Sequence, residues 1–399
     1  MAQGTIRPLT ERLFYMGFYR LFGMNALPFR AFVFLTQFVN LVLICAVVRR
    51  LTRSDLAGFL APVLWMVTSS LSVAMSWTAT YNQIQCAFWM LLAFYLFALY
   101  TQTGEKRYYW WQWAAFVLGF GALEINVVYP ALVALYALCF ARRYFVRTFP
   151  LFVVSAVYTV LHRSSAPPQT ADVYRMYFDG SLLSTFFTYC RWATGIDRLA
   201  IALMKPAWPF IAIECVVIAG LLVVLIVKGK PALFFVGWFV IALAPVLPLR
   251  NHISNYYLTI PSIGLAMLGA WGLASAWECG RWPGVAASLV ALLYAGPMIW
   301  DTRAETRFNY LASTQVKALV LGVEAVHQAH PGKSILLTGI SDRLFITGIR
   351  DGPFRILGIP NVFVEGKTNP VESGDPLVYE YSNYHLKDVT AAYHTGVVK

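Results

Sequence analysis

Long apolar runs separated by short polar turns fill the first three quarters of the chain. Runs at 29–48, 57–75, 83–101, 110–123, 126–141, 148–163, 208–227, 231–247, 258–275 and 283–299 predict about ten membrane-embedded helical segments. Several fall short of the roughly 20 residues that a full span needs. The pair 110–123 and 126–141 fits two tilted helices, or one span plus a re-entrant piece shielded by protein. After Trp300 the pattern changes. Residues 311–329 read as a helix ending at Pro331-Gly332. Short β-rich runs follow at 334–338, 344–347, 354–357, 361–364 and 377–381, punctuated by Gly, Pro and Asp. The predicted fold class is therefore an α-helical polytopic membrane protein with a small C-terminal α/β domain. Its parts are an outer amphipathic segment at 1–28, a multi-span domain at 29–300 with an outer loop at 164–207, and an extracytoplasmic domain at 301–399.

Composition agrees. Hydrophobic residues make up 59% of 399 positions and charged residues 13%, against about 45–50% and about 25% in soluble domains. A net charge of +12 in a soluble protein would suggest nucleic acid. Here the cations sit in short loops: Arg49, Arg50 and Arg53; Lys106 and Arg107; Arg142, Arg143 and Arg147; Lys228 and Lys230; Arg281. The turns near 76–82 and 124–126 hold no Lys or Arg. The positive-inside rule makes the basic loops cytoplasmic and both termini extracytoplasmic, with a bacterial inner membrane the expected location. Tyr108, Tyr109, Trp110, Trp111 and Trp113 fit an aromatic belt at the basic boundary.

Cys45, Cys86, Cys139, Cys215 and Cys279 lie in apolar runs or at a membrane boundary, and Cys190 in a loop. With no CxxC pair, neither a zinc site nor a disulfide framework is indicated, and no cofactor is expected. The first 27 residues lack the basic stretch and apolar core of a signal peptide. An outside N-terminus without one predicts a further helix upstream.

Three segments carry a family resemblance. RPLTERLFYMGFYRLFGMN at 7–25 precedes an apolar helix and Arg49-Arg50-Leu51. ALEINVVYP occupies 122–130, and NYYLTIPSIG occupies 255–264. In this order they resemble the outer-loop RPL segment, the small-x-Glu…Pro motif and the Tyr-Leu-Tyr-Leu-Pro-Ser-Ile-Gly motif of the GT-C superfamily. The closest groups are the protein O-mannosyltransferase-like enzymes and the membrane part of the TPR-containing mannosyltransferases. The resemblance covers about 7–275. It implies transfer of a sugar from a polyprenyl-phosphate donor to a protein, glycan or lipid acceptor outside the membrane. The family's first helix and its acidic loop have no counterpart in this sequence. Asp55, the first aspartate, falls on the cytoplasmic side, and Asn255-Tyr256 stand where the family has Glu-Arg. The expectation is a chain that binds a lipid-linked sugar and transfers it slowly without an upstream base.

Such chemistry needs a proton acceptor and groups for a leaving phosphate. Arg250, His252, Tyr256 and Tyr257 share one short outer turn, and Arg250 offers a permanently charged fork suited to phosphate. Against this, an arginine and two tyrosines at a helix end also suit lipid headgroups. Arg7 is a second phosphate candidate, or a solvated interfacial arginine. Glu124 lies between two short apolar runs, where an acid is a functional candidate by default. It could equally be a helix-end acid bonding backbone amides or Asn126. Asp172, Asp179 and Asp197 in the outer loop are alternative bases, with Asp179 in Phe-Asp-Gly-Ser more simply a turn residue. Glu214, within a span, has no motif around it. Gly332-Lys333-Ser334 lacks the first glycine of a phosphate loop, because position 327 is histidine. His327 and His330 have no further ligands to complete a metal set. Two other classes fit the pattern: a lipid or glycan transporter, and a catalytically silent GT-C relative in a membrane assembly.

Overall fold

The computed structural model describes residues 7–165, 174–195, 208–350, 352–368 and 375–395. Asp172 and Asp197 lie outside them, as does part of the 164–207 loop. The chain forms two compact units, Met1–Glu305 and Thr306–Lys399.

Among its described residues, the first unit holds helices and no strand. A π-helical turn at Pro8–Leu13 leads into α1 (Phe14–Phe22) and then α2 (Ala26–Thr52), whose first turn is capped by Asn25 through the Leu27 amide. Ser54 caps α3 (Asp55–Met66). The 57–75 run is not one straight helix. α3 and α4 (Ser69–Ser76) meet at a 63° bend. The break is stable at this depth because its polar groups find partners in the protein. Thr68 Oγ1 donates to the Trp65 carbonyl, and Trp65 Nε1 donates to the Thr259 carbonyl.

Next come α5 (Tyr81–Thr103), α6 (Lys106–Gly119), α7 (Tyr129–Phe140) and α8 (Phe149–Ser165). The 110–141 region is thus two short helices joined by a 3₁₀ turn at Glu124–Val128. Another 3₁₀ segment, Arg142–Thr148, joins α7 to α8. α9 (Ser181–Thr194) and α10 (Trp208–Lys228) precede α11 (Lys230–Leu243) and α12 (Ser262–Cys279), with a 3₁₀ turn at Asn255–Leu258 between the last two. α5, α7 and α11 share an aromatic core in which Phe94 contacts Tyr136, Phe234 and Trp238 at ring distances of 5.3, 5.4 and 5.5 Å.

All ten expected runs contain helix, but fewer meet the length of a full span. Among the described residues, five helical stretches are long and apolar enough to cross a bilayer, or six if the bent α3–α4 pair counts as one span. The stretches Glu124–Phe140 and Lys230–Val246 are apolar but shorter.

The expected helix at 311–329 is not separate. It continues α13, which runs unbroken over Arg281–Ala329. The second unit holds a four-stranded sheet in the order β2-β1-β3-β4, from β1 (Ile335–Thr338), β2 (Val362–Val364), β3 (Leu377–Ser382) and β4 (His385–Asp388). β1 lies parallel to β2 and β3, and β3–β4 is an antiparallel pair. Two expected strands are helical. Ser341 accepts a capping bond from the Leu344 amide, so the 344–347 run continues a helical turn. Pro353 opens Pro353–Ile356 at a position where its missing N–H costs nothing. The β4 strand carries no strand signal in the sequence, because HLKD has one apolar residue.

Candidate functional site

Two of the sequence motifs form one structural unit. The Leu9 amide donates to the Gly121 carbonyl at 3.0 Å, and the buried Thr10 hydroxyl donates to the Ala122 carbonyl at 3.0 Å. A Cβ on Gly121 would stand 2.8 Å from Leu9 Cγ, so this close approach needs glycine. The docking brings Arg7 to Glu124. Arg7 Nε lies 3.0 and 3.1 Å from the two carboxylate oxygens, and Nη2 lies 2.9 Å from Oε2. Nη1 donates to Glu11 Oε1 at 3.3 Å.

These side chains are partly open to water, at 20% for Arg7 and 26% for Glu124. Burial works to lower the Arg7 pKa, but Glu124, by charge and hydrogen bonding, and then Glu11 outweigh it and hold the value above the ordinary one. His162, near the end of α8, adds an imidazole that sequence reading missed. Its Nε2 lies 3.8 Å from Glu124 Oε1, too long for a hydrogen bond but within charge contact when protonated. The ring stacks on Tyr158, which stacks on Phe120.

The third motif faces this pair. α4 packs on the Asn255–Leu258 turn, and Arg7 is within electrostatic reach of Tyr256 and Tyr257. Burial raises the pKa of both tyrosines, so their hydroxyls stay protonated. Tyr256 OH and His252 Nε2 are 2.8 Å apart, the donor being set by the tautomer. Burial holds the His252 pKa below its ordinary value. Tyr174 covers the same imidazole at a ring distance of 4.6 Å.

Arg250 has other partners. Its guanidinium lies 3.5 Å over the Tyr177 ring, and Nη1 donates to Asp179 Oδ2 at 3.0 Å. Hydrogen bonding from Ser181, with a smaller contribution from Arg250, lowers the Asp179 pKa. Both partners of this pair are well exposed, at 41% and 49%. The structure therefore pairs Arg7 with Glu124, sets Tyr256 and Tyr257 within electrostatic reach of Arg7, joins His252 to Tyr256, and pairs Arg250 with Asp179. Glu214 is elsewhere, accepting a bond from Thr194 Oγ1 at 3.1 Å.

An apolar cavity of about 420 Å³ opens among α3, α9, α10, α12 and α13. Its lining runs from Thr68, Thr194 and Ser262 at one end to Lys228 and Cys279 at the other. Val224 and Gly272 lie between them. The first end holds the start of α12, just after the tyrosine turn. The second is the basic end of the bundle.

Comparison with known proteins fits the motif reading. Residues 7–163 match the family described as dolichyl-phosphate-mannose-protein mannosyltransferase. The matched stretch includes both members of the Arg7–Glu124 pair and His162, and stops before the tyrosine turn. The match covers less than half of the chain and marks this stretch as similar to a family of GT-C-type membrane glycosyltransferases. No curated protein matches the chain.

Proposed function

We propose that the chain transfers a sugar from a polyprenyl-phosphate donor to an acceptor hydroxyl at the end of the bundle that carries the Arg7–Glu124 pair. The observation that carries this reading is the pair itself. A carboxylate is held by a bidentate arginine across two motifs, with two tyrosines within electrostatic reach of that arginine and an apolar cavity starting at the same end.

In this reading Arg250, His252 and Tyr256 receive the donor phosphate. An exposed ion pair contributes only about 0–1 kcal/mol, so the phosphate can displace Asp179 from Arg250. Asp179 then acts as a placeholder and not as a base. Arg7 has its nitrogens committed to Glu124 and Glu11, which suits orienting the carboxylate more than holding phosphate. Glu124 takes the acceptor proton as the acceptor oxygen bonds to the anomeric carbon. The bond from that carbon to the phosphate oxygen breaks, and the polyprenyl phosphate leaves with the electron pair. The cavity takes the polyprenyl tail.

The test uses the full chain in lipid nanodiscs with a synthetic polyprenyl-phosphate sugar. Arg250→Ala is expected to weaken donor binding more than His252→Ala, because arginine is charged at every working pH. Glu124→Gln is expected to keep binding and lower turnover by about 10²–10⁴-fold. Equal donor binding by wild type and Arg250→Ala would remove Arg250 from the site. Full turnover by Glu124→Gln would move the base elsewhere.

A second reading, a lipid or glycan transporter, draws on the 63° bend between α3 and α4, since broken helices mark transporter binding sites. Flux of the intact lipid-linked sugar across vesicles, without cleavage, would favour it.

A further inference from the structure

We propose that the opposite end of the bundle binds an anionic phospholipid headgroup, at the turn where α5 ends beside the Arg142–Thr148 segment. α5 separates the two ends. Tyr81 at its start contacts Phe14 at 4.5 Å, on the side of the Arg7–Glu124 pair, and its 23 residues span about 34 Å of helix.

At the far end two guanidinium groups flank consecutive residues of α5. Arg50 Nη1 donates to Gln102 Oε1 at 2.9 Å, and its Nη2 to the Tyr95 hydroxyl at 3.3 Å. Arg143 Nη2 reaches the Thr101 carbonyl at 3.5 Å while the guanidinium lies over the Tyr144 ring at 4.7 Å. These partners are neutral. The nearby carboxylates are already engaged, Asp55 by Arg49 at 2.7 Å and Glu105 by Arg107 at 2.6 Å. A guanidinium has five N–H donors, so each arginine keeps donors for phosphate oxygens. The C-terminus of α5 favours a cation nearby, which accounts for the placement of Arg143 but neutralises neither charge.

The surroundings suit a lipid more than a soluble anion. Trp110 and Trp111, near the start of α6, are exposed at 67% and 65%, and Val146, in the Arg142–Thr148 segment, at 68%. Tyr109 links these parts: its hydroxyl donates to the Arg147 carbonyl and its ring contacts Trp110. A phosphate between the guanidinium groups would leave its acyl chains against this apolar and aromatic wall. Basic clusters at helix ends on one face of a membrane protein bind anionic lipids by this combination of charge and apolar contact.

Native mass spectrometry of the detergent-purified full chain tests the site, with phosphatidylglycerol and phosphatidylcholine as probes. Wild type should retain phosphatidylglycerol selectively. The double variant Arg50→Gln/Arg143→Gln should lose roughly thirtyfold in that retention, whereas Arg49→Gln/Arg107→Gln, whose arginines are paired with acids, should keep it. Equal retention of the two lipids, or equal loss in both double variants, would overturn a defined site. Displacement by free glycerol phosphate at the lipid's own concentration would also overturn it, in favour of a soluble-anion site. Should the glutamine pair not fold, Arg50→Lys/Arg143→Lys keeps both charges without the planar forks. Its adduct should fall several-fold, and undiminished retention would overturn the site.

Discussion

Arg7 and Glu124 are 117 residues apart and form a bidentate contact in a half-open site. Removing one partner leaves the other charge partly desolvated, whereas removing both leaves a gap without a stranded charge. Arg7→Met and Glu124→Gln should each cost about 1.5–3 kcal/mol, the usual range for hydrogen bonds to charged groups. The double variant should cost less than the sum. Thermal unfolding of the four proteins in one detergent measures the coupling, and strict additivity would show that the contact contributes nothing in solution. His252 gives a pH dependence. Its folded pKa is depressed by burial, so the fold favours the neutral ring. That contribution is intact above the ordinary histidine value of about 6.5 and is lost as pH falls through the folded pKa. His252→Gln should therefore flatten the acid side of a plot of Tm against pH below about 6.5. An unchanged acid limb would mean that other groups carry it.

At the scale of elements, the packing of the second motif against the end of α6 depends on a small residue. A Cβ on Gly119 would stand 2.7 Å from three atoms of the buried Asn126 side chain. Asn126 cannot retreat without losing the 2.7 Å bond from its Nδ2 to the Phe116 carbonyl. Gly119→Ala is expected to destabilise by about 1–3 kcal/mol through overpacking, despite the better helix propensity of alanine. Gly17, within α1, has no atom within 4 Å of its Cβ position. Gly17→Ala should be neutral or stabilising by up to about 1 kcal/mol, so opposite shifts in Tm are expected for the same substitution. The cavity offers a second test. Ala276→Trp narrows it and should weaken binding of a long polyprenyl-phosphate sugar while leaving a short-chain analogue unaffected. Equal effects on both lengths would place the tail elsewhere.

These elements also mark what could be read from the chain. Apolar periodicity locates helices, so every run from 29–48 to 283–299 contains one. It does not reveal a break such as Thr68, where the Thr68 hydroxyl meets the Trp65 carbonyl and the Trp65 indole N–H meets the Thr259 carbonyl. The motifs at 7–25 and 122–130 are legible separately, but the Arg7–Glu124 contact is a product of packing between segments more than 100 residues apart. The same holds for Arg250, whose partner Asp179 is 71 residues away, and for His162, a lone histidine in an apolar helix without a motif. The runs 344–347 and 354–357 have strand-like composition, yet a serine cap and an N-terminal proline make them helical. Local start signals outweighed β propensity there.

For the whole molecule, topology depends on parity. The five long apolar helices alone would put the N-terminal segment and the α/β unit on opposite faces. Adding the bent α3–α4 pair as one span would give six crossings, an even count. If the short helices α6 with α7 and α11 with α12 pass out and back in pairs, they leave the parity unchanged. The distribution of cations favours the even count. Arg49, Arg50 and Arg53 follow α2, Lys106 and Arg107 open α6, Arg142, Arg143 and Arg147 follow α7, Lys228 and Lys230 join α10 to α11, and Arg281 opens α13. All mark the same end only if α3–α4 crosses, and the positive-inside rule predicts a cytoplasmic location for that end. Single cysteines added near positions 230 and 390, in a background with the six native cysteines replaced by serine, test this in intact cells. An impermeant thiol reagent should label the one near 390 and leave the one near 230 protected. A cysteine at Thr78, just after α4, should label as well. An even number of crossings separates 78 from 390, so the discriminating comparison is with a cysteine at Ser54, just before α3. Protection at 54 with labelling at 78 is expected, and the same behaviour at both would mean that α3–α4 turns back within the membrane, leaving an odd number of crossings.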